Sequence, residues 1–121
     1  MERTVMMQLK NWKNSQSRKP LILKGARQVG KTYVLKEFGK KEFKNVAYVN
    51  CDNNPDVRSL FEEDYDMKRV LMIIGAITKQ PIVPGETLII LDEIQELPRV
   101  LSSLIYFCEE IPEYNVVVAG S

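Results

Sequence analysis

Gly25-Ala26-Arg27-Gln28-Val29-Gly30-Lys31-Thr32 is the stretch that decides the fold. Its spacing is G-x-x-x-x-G-K-[ST], the pattern of a phosphate-binding P-loop. Pro20-Leu21-Ile22-Leu23-Lys24 precedes it as a short apolar run, which reads as a buried strand. Tyr33-Val34-Leu35-Lys36-Glu37-Phe38 follows as a helix that Gly39 is placed to close. Strand, glycine loop and helix in this order form the context in which the motif acts. Gly25 and Gly30 let the backbone wrap a phosphate closely, while loop N–H groups and the helix N-terminus point at the anion. Lys31 is expected to reach the β- and γ-phosphates, and the Thr32 hydroxyl to complete the shell of a Mg²⁺ ion. The expected nucleotide-binding residues are therefore Gly25, Ala26, Arg27, Gln28, Val29, Gly30, Lys31, Thr32 and Tyr33.

A second motif lies downstream. After Thr87, Leu88-Ile89-Ile90-Leu91 is a continuous run of four apolar residues that delivers Asp92 and Glu93 at its end. Such a run suits a central strand of a parallel sheet, covered on both faces. In an open α/β sheet the C-terminal edge of the strands is where ligands bind. Asp92 is expected to hold Mg²⁺ through its water shell, and Glu93 to orient and activate an attacking water. Alternatively, the acid pair simply caps the next helix.

Between these motifs the chain alternates. Val5, Met6, Leu9 and Trp12 fall at helical spacing within residues 4–13, and Asn14 to Lys19 form a polar connector. Trp12 is either core packing or a stacking partner for a nucleobase. Asn45-Val46-Ala47-Tyr48-Val49-Asn50 reads as a second strand, apolar at its centre without clean alternation. Asn54-Pro55 opens a short helix through Leu60 and Phe61. Asp66 caps a longer helix carrying Met67, Val70, Leu71, Ile74 and Ile77, which Pro81-Ile82-Val83-Pro84-Gly85 ends. Pro98 starts another, with Val100, Leu101, Leu104, Ile105 and Cys108 on its apolar face, and Tyr114 to Ser121 form a last buried strand. The class is α/β with a parallel sheet.

Composition narrows the chemistry. The chain has 121 residues and is 45% hydrophobic, enough for one domain with a core. We divide it into an N-terminal helix and connector, 1–19, and a nucleotide-binding core, 20–121. There is no histidine, which excludes histidine acid–base catalysis and the usual zinc sites. Cys51 and Cys108 lie far apart without a C-x-x-C partner and are expected to be buried thiols. No apolar run has the length of a membrane span and the polar N-terminus is no signal peptide, so a cytoplasmic, non-membrane location is expected. Residues 1–44 hold twelve Lys/Arg and three Asp/Glu (+9), and residues 45–121 hold five and thirteen (−8). The basic half reads either as DNA contact or as cations serving the nucleotide, with Lys36, Lys40, Lys41 and Lys44 on a solvated helix end and loop.

Gly-Ala-Arg-Gln-Val-Gly-Lys-Thr, Leu-Ile-Ile-Leu-Asp-Glu-Ile-Gln-Glu and Val-Val-Val-Ala-Gly-Ser, in that order, resemble prokaryotic AAA-type ATPases of the archaeal-ATPase-like group. The likeness spans about Leu9 to Ser121. It implies a three-layer AAA+ P-loop sandwich with sheet order 5-1-4-3-2, ATP and Mg²⁺ as ligands, and ATP hydrolysis that drives or gates a partner domain. It places Ser121 at the sensor-1 position, beside Lys31 and Glu93 as a catalytic residue. It also implies a fifth strand and a C-terminal domain beyond Ser121, so the chain reads as a fragment. Its strand at Leu21–Leu23 then has a bare edge, and self-association is expected. Without an arginine finger hydrolysis is expected to be slow, since such a finger contributes about 10³–10⁵ in rate. None of Arg27, Gln28 and Arg99 can be assigned that role. Two other functions stay open: a nucleotide-gated switch for a protein or DNA partner with little turnover, and a small-molecule P-loop kinase.

Overall fold

The computed structural model describes residues 2–14, 20–24, 31–52, 66–94, 102, 106 and 109–120, without the side chains of residues 2–5, 24 and 31. Within these, α1 spans Glu2–Lys13, β1 Leu21–Lys24, α2 Lys31–Glu42 and β2 Asn45–Asn50. Then follow α3 at Met67–Thr78, β3 at Thr87–Asp92 and β4 at Asn115–Gly120. Ser102, Tyr106, Glu109 and Glu110 are helical. The helix expected at 54–61 and most of the one after Pro98 lie outside the described residues.

The four strands form one parallel sheet in the order β1-β4-β3-β2. This is the 1-4-3-2 portion of the expected order. One strand, β4, therefore separates the strand that leads into the P-loop motif from the strand that ends in the acid pair. The register pairs Asn50 with Asp92 and Lys24 with Gly120, so the strands end along a common edge.

The lack of alternation within the strands has a direct cause, because both faces are covered. Leu88, Ile90, Val117 and Ala119 pack with Leu9, Leu23, Val34, Leu35 and Phe38 on the face under α1 and α2. Their sequence neighbours Ile89, Leu91, Val116 and Val118 pack with Ala47, Val49, Met67, Val70 and Ile74 on the face under α3. All six residues of β3 and all six of β4 are buried. The result is a three-layer sandwich with two cores. Trp12 belongs to the first core, its ring centroid 6.5 Å from that of Phe38. Core packing, the first of the two readings of Trp12, is what the structure shows.

Asp66 caps α3 as expected, its carboxylate accepting from the backbone N–H groups of Lys68 and Arg69. The end of α3 differs from expectation. Lys79 terminates it in the left-handed conformation, φ 57°, with its N–H donating to the Gly75 carbonyl, before Pro81 is reached. Gly39 also differs: it does not close α2, which runs on to Glu42. A Cβ built on Gly39 would stand 2.3 Å from Val46 Cγ2 and 3.2 Å from Leu88 Cδ2. Gly39 is thus a close-approach residue, and its lack of a side chain sets how near α2 lies to β2 and β3. Among the described residues no helix is long and apolar enough to cross a membrane.

Candidate active site

Strand β3 runs through both cores and brings Asp92 to the common C-terminal edge at 0% exposure. Alternation along the strand puts Asp92 on the same face as Leu88 and Ile90, under α2. Helix α2 begins at Lys31, one residue after the glycine loop, and packs on β2 and β3. These two facts bring together residues sixty apart in sequence: Thr32 Oγ1 donates to Asp92 Oδ2 at 2.7 Å. The last residue of the P-loop pattern and the first acid of the downstream pair therefore share a hydrogen bond.

Two more donors hold the same carboxylate. The Tyr48 hydroxyl donates to Asp92 Oδ2 at 2.7 Å, and the Glu93 backbone N–H donates to Oδ1 at 2.9 Å. The main chain is tied as well, with the Cys51 N–H donating to the Asp92 carbonyl at 2.8 Å. Burial above all, then the hydrogen bond to Asp92 and its charge, raises the Tyr48 hydroxyl well above the ordinary tyrosine range; a hydrogen bond with Thr32 acts weakly against this. The phenol is therefore a proton donor at every working pH. Cys51 is buried and free, its thiol pushed up to about 12 by burial first and then by the charges of Asp92 and Glu93. It has no thiolate character at neutral pH.

Glu93 leaves the strand with φ 59°. For a non-glycine residue the left-handed region costs roughly 1–2 kcal/mol, and such strain gathers at functional sites. Tyr33 is 63% exposed on the first turn of α2. The remaining expected site residues, Gly25, Ala26, Arg27, Gln28, Val29, Gly30 and Ser121, lie outside the described residues, as do the Lys31 side chain and Arg99. Lys40 and Lys41 are exposed, and Lys44 Nζ pairs with Glu86 at 2.9 Å.

Tyr48 belongs to no sequence motif, and Lys36 reads from the sequence only as one cation of the basic half, solvated or facing DNA. Lys36 Nζ lies 4.2 Å from the centroid of the Tyr48 ring. The only sign in the sequence is a lone phenol among the apolar central residues of β2, Val46, Ala47 and Val49. Its relation to Asp92 needs the register, in which Tyr48 pairs with Ile90, two residues before the acid.

The donor set fits a small hard cation. Mg²⁺ takes oxygen ligands, keeps most of its waters and uses one or two carboxylates plus substrate phosphates. A buried carboxylate beside a hydroxyl provides that, and a hydroxyl can donate to Asp92 while offering a lone pair elsewhere. A dedicated cage of protein ligands is not needed, and no group of three or more His, Cys, Asp or Glu suited to a metal occurs among the described residues. No curated protein matches the chain at a significant level. The model of a family described as AAA domain matches residues 17–121, the span that includes both motifs and all four strands. Order of strands, placement of the acid pair and this match agree: the chain belongs to the AAA domain family, a nucleotide-binding P-loop class.

Proposed function

We propose that the chain binds ATP with Mg²⁺ at the C-terminal edge of its sheet and hydrolyses it, driving or gating a partner domain. The observation that carries this reading is the 2.7 Å hydrogen bond between Thr32 and the fully buried Asp92. It joins the end of the phosphate-loop pattern to the buried carboxylate at the end of the central strand. Burying a charge is costly, and a site that uses the charge is one way to offset that cost.

The roles follow from position. The loop amides of 25–30 and Lys31 hold the phosphates. Thr32 and Asp92 would hold the metal, which would supply positive charge to the phosphates. Glu93 accepts a proton from water as its oxygen bonds to the γ-phosphorus, while the bond to the ADP oxygen breaks. Ser121, one residue beyond β4, is the proposed contact to the γ-phosphate or the water. Lys31→Ala removes the cation that the motif aims at the phosphates.

A single-turnover assay with radiolabelled ATP tests the reading. Wild type should convert bound ATP to ADP slowly. Glu93→Gln should hold ATP uncleaved with unchanged affinity, and Lys31→Ala should bind neither nucleotide. Equal nucleotide affinity for wild type and Lys31→Ala would sink the P-loop assignment. Tight retention of nucleotide by wild type with no cleavage would favour the switch instead.

A further inference from the structure

Helix α2 meets the surroundings of Asp92 twice, once on β3 and once on β2. Thr32 touches Asp92 directly, and Lys36, one turn further on the same helix face, lies over the ring of Tyr48. Tyr48 in turn donates to the oxygen of Asp92 that Thr32 also uses. The phenol is thus gripped at both ends, its ring by a cation from α2 and its hydroxyl by the carboxylate.

The donor count shows the consequence. A carboxylate offers about four lone-pair sites. Among the described residues three are occupied in Asp92, two on Oδ2 by Thr32 and Tyr48 and one on Oδ1 by the Glu93 amide. Against these described donors one acceptor direction is left for a metal-bound water. Without the phenol, Thr32 would be the only described donor on Oδ2, and the carboxylate could turn or draw in water.

We propose that Tyr48 is the positioning residue of the candidate metal site, its hydroxyl fixing the Asp92 carboxylate in its receiving orientation and Lys36 fixing the phenol ring from α2. The inference rests on the reading of Thr32 and Asp92 as metal-holding residues. Partners of this kind around metal ligands typically change metal affinity on the order of 10-fold or more when removed.

Tyr48→Phe keeps the ring and the Lys36 contact and removes only the hydroxyl. Free Mn²⁺ is followed by electron paramagnetic resonance during titration of the 121-residue chain with ADP present. ADP affinity is measured separately in EDTA. For Tyr48→Phe the Mn²⁺ half-saturation concentration should rise about 10-fold, with ADP affinity in EDTA unchanged. Lys36→Met, at an exposed position that folding tolerates, should raise it by a smaller factor in the same direction. Wild-type Mn²⁺ affinity in both variants overturns the proposal, as does an equal loss of ADP affinity in EDTA, which marks a purely structural role. If wild type itself binds ADP with no dependence on Mn²⁺, the metal-holding reading of Thr32 and Asp92 falls, and this inference with it.

Discussion

Thr87 and Asp92 are the two ends of one strand, both at 0% exposure, and their surroundings are opposite in kind. At the N-terminal end the Thr87 hydroxyl is 2.7 Å from Asn45 Oδ1 and 3.0 Å from the Pro81 carbonyl, and it accepts from the Val83 amide at 3.0 Å. Asn45 Nδ2 donates onward to the Pro81 carbonyl at 2.9 Å and to Gln80 Oε1 at 3.2 Å. This set is neutral and closed, and it pins the turn after α3 to the start of the sheet. At the C-terminal end the acceptor is a carboxylate, its described donors are two hydroxyls and an amide, and the next residue is in the left-handed region. A closed neutral network supports the fold. A buried charge with an acceptor site to spare suits a ligand.

If that contrast is right, the two ends fail differently. Thr87→Val removes the hydroxyl and leaves the Val83 amide and Asn45 Oδ1 short of a partner. Leaving a fully buried polar group unsatisfied costs about 1–3 kcal/mol, and Asn45 and Val83 are only half-buried, so water can replace part of what is lost. Urea unfolding should show a loss near the lower end of that range, while nucleotide affinity stays within about twofold of wild type. A large loss of affinity would show that the two ends are not separable.

Gly39→Ala tests the link between the ends, because α2 is the element that reaches both. The added Cβ would drive into Val46, whose stiff side chain has little room to yield. Overpacking costs typically 1–3 kcal/mol, and the gain in helix propensity returns about 1 kcal/mol. The net expectation is a loss of up to about 2 kcal/mol in chemical denaturation, together with weaker Mg-nucleotide binding as Thr32 and Lys36 are lifted from Asp92 and Tyr48. Unchanged stability together with unchanged Mg-nucleotide binding would mean that α2 slides freely on the sheet.

The contrast also shows where a sequence is legible. Runs such as Thr87–Leu91 announce buried parallel strands because both faces must be apolar, and Asp66 announces α3 because its cap is local. The acid pair and the P-loop pattern were legible as a combination, since their spacing depends on strand and helix ends that the sequence marks. Gly39 was misread because a glycine after an apolar helix looks like a stop, whereas its role is set by Val46 on another element. Lys79 was missed because a lysine gives no sign of a left-handed cap. Tyr48 was missed because its meeting with Asp92 exists only once β2 and β3 are in register and α2 lies above them.

If Asp92 is buried for a metal-nucleotide complex and not for the fold, removing its charge should cost binding and spare stability. Asp92→Asn keeps the shape and removes the charge. Calorimetric titration with a non-hydrolysable ATP analogue, with Mg²⁺ and in EDTA, separates the two roles. Wild type should bind more tightly with Mg²⁺ than in EDTA. Asp92→Asn should lose that gain, keep its affinity in EDTA, and unfold at no lower urea concentration than wild type. A variant that retains the full Mg²⁺ gain, or one that loses stability while binding is unchanged, would contradict the account.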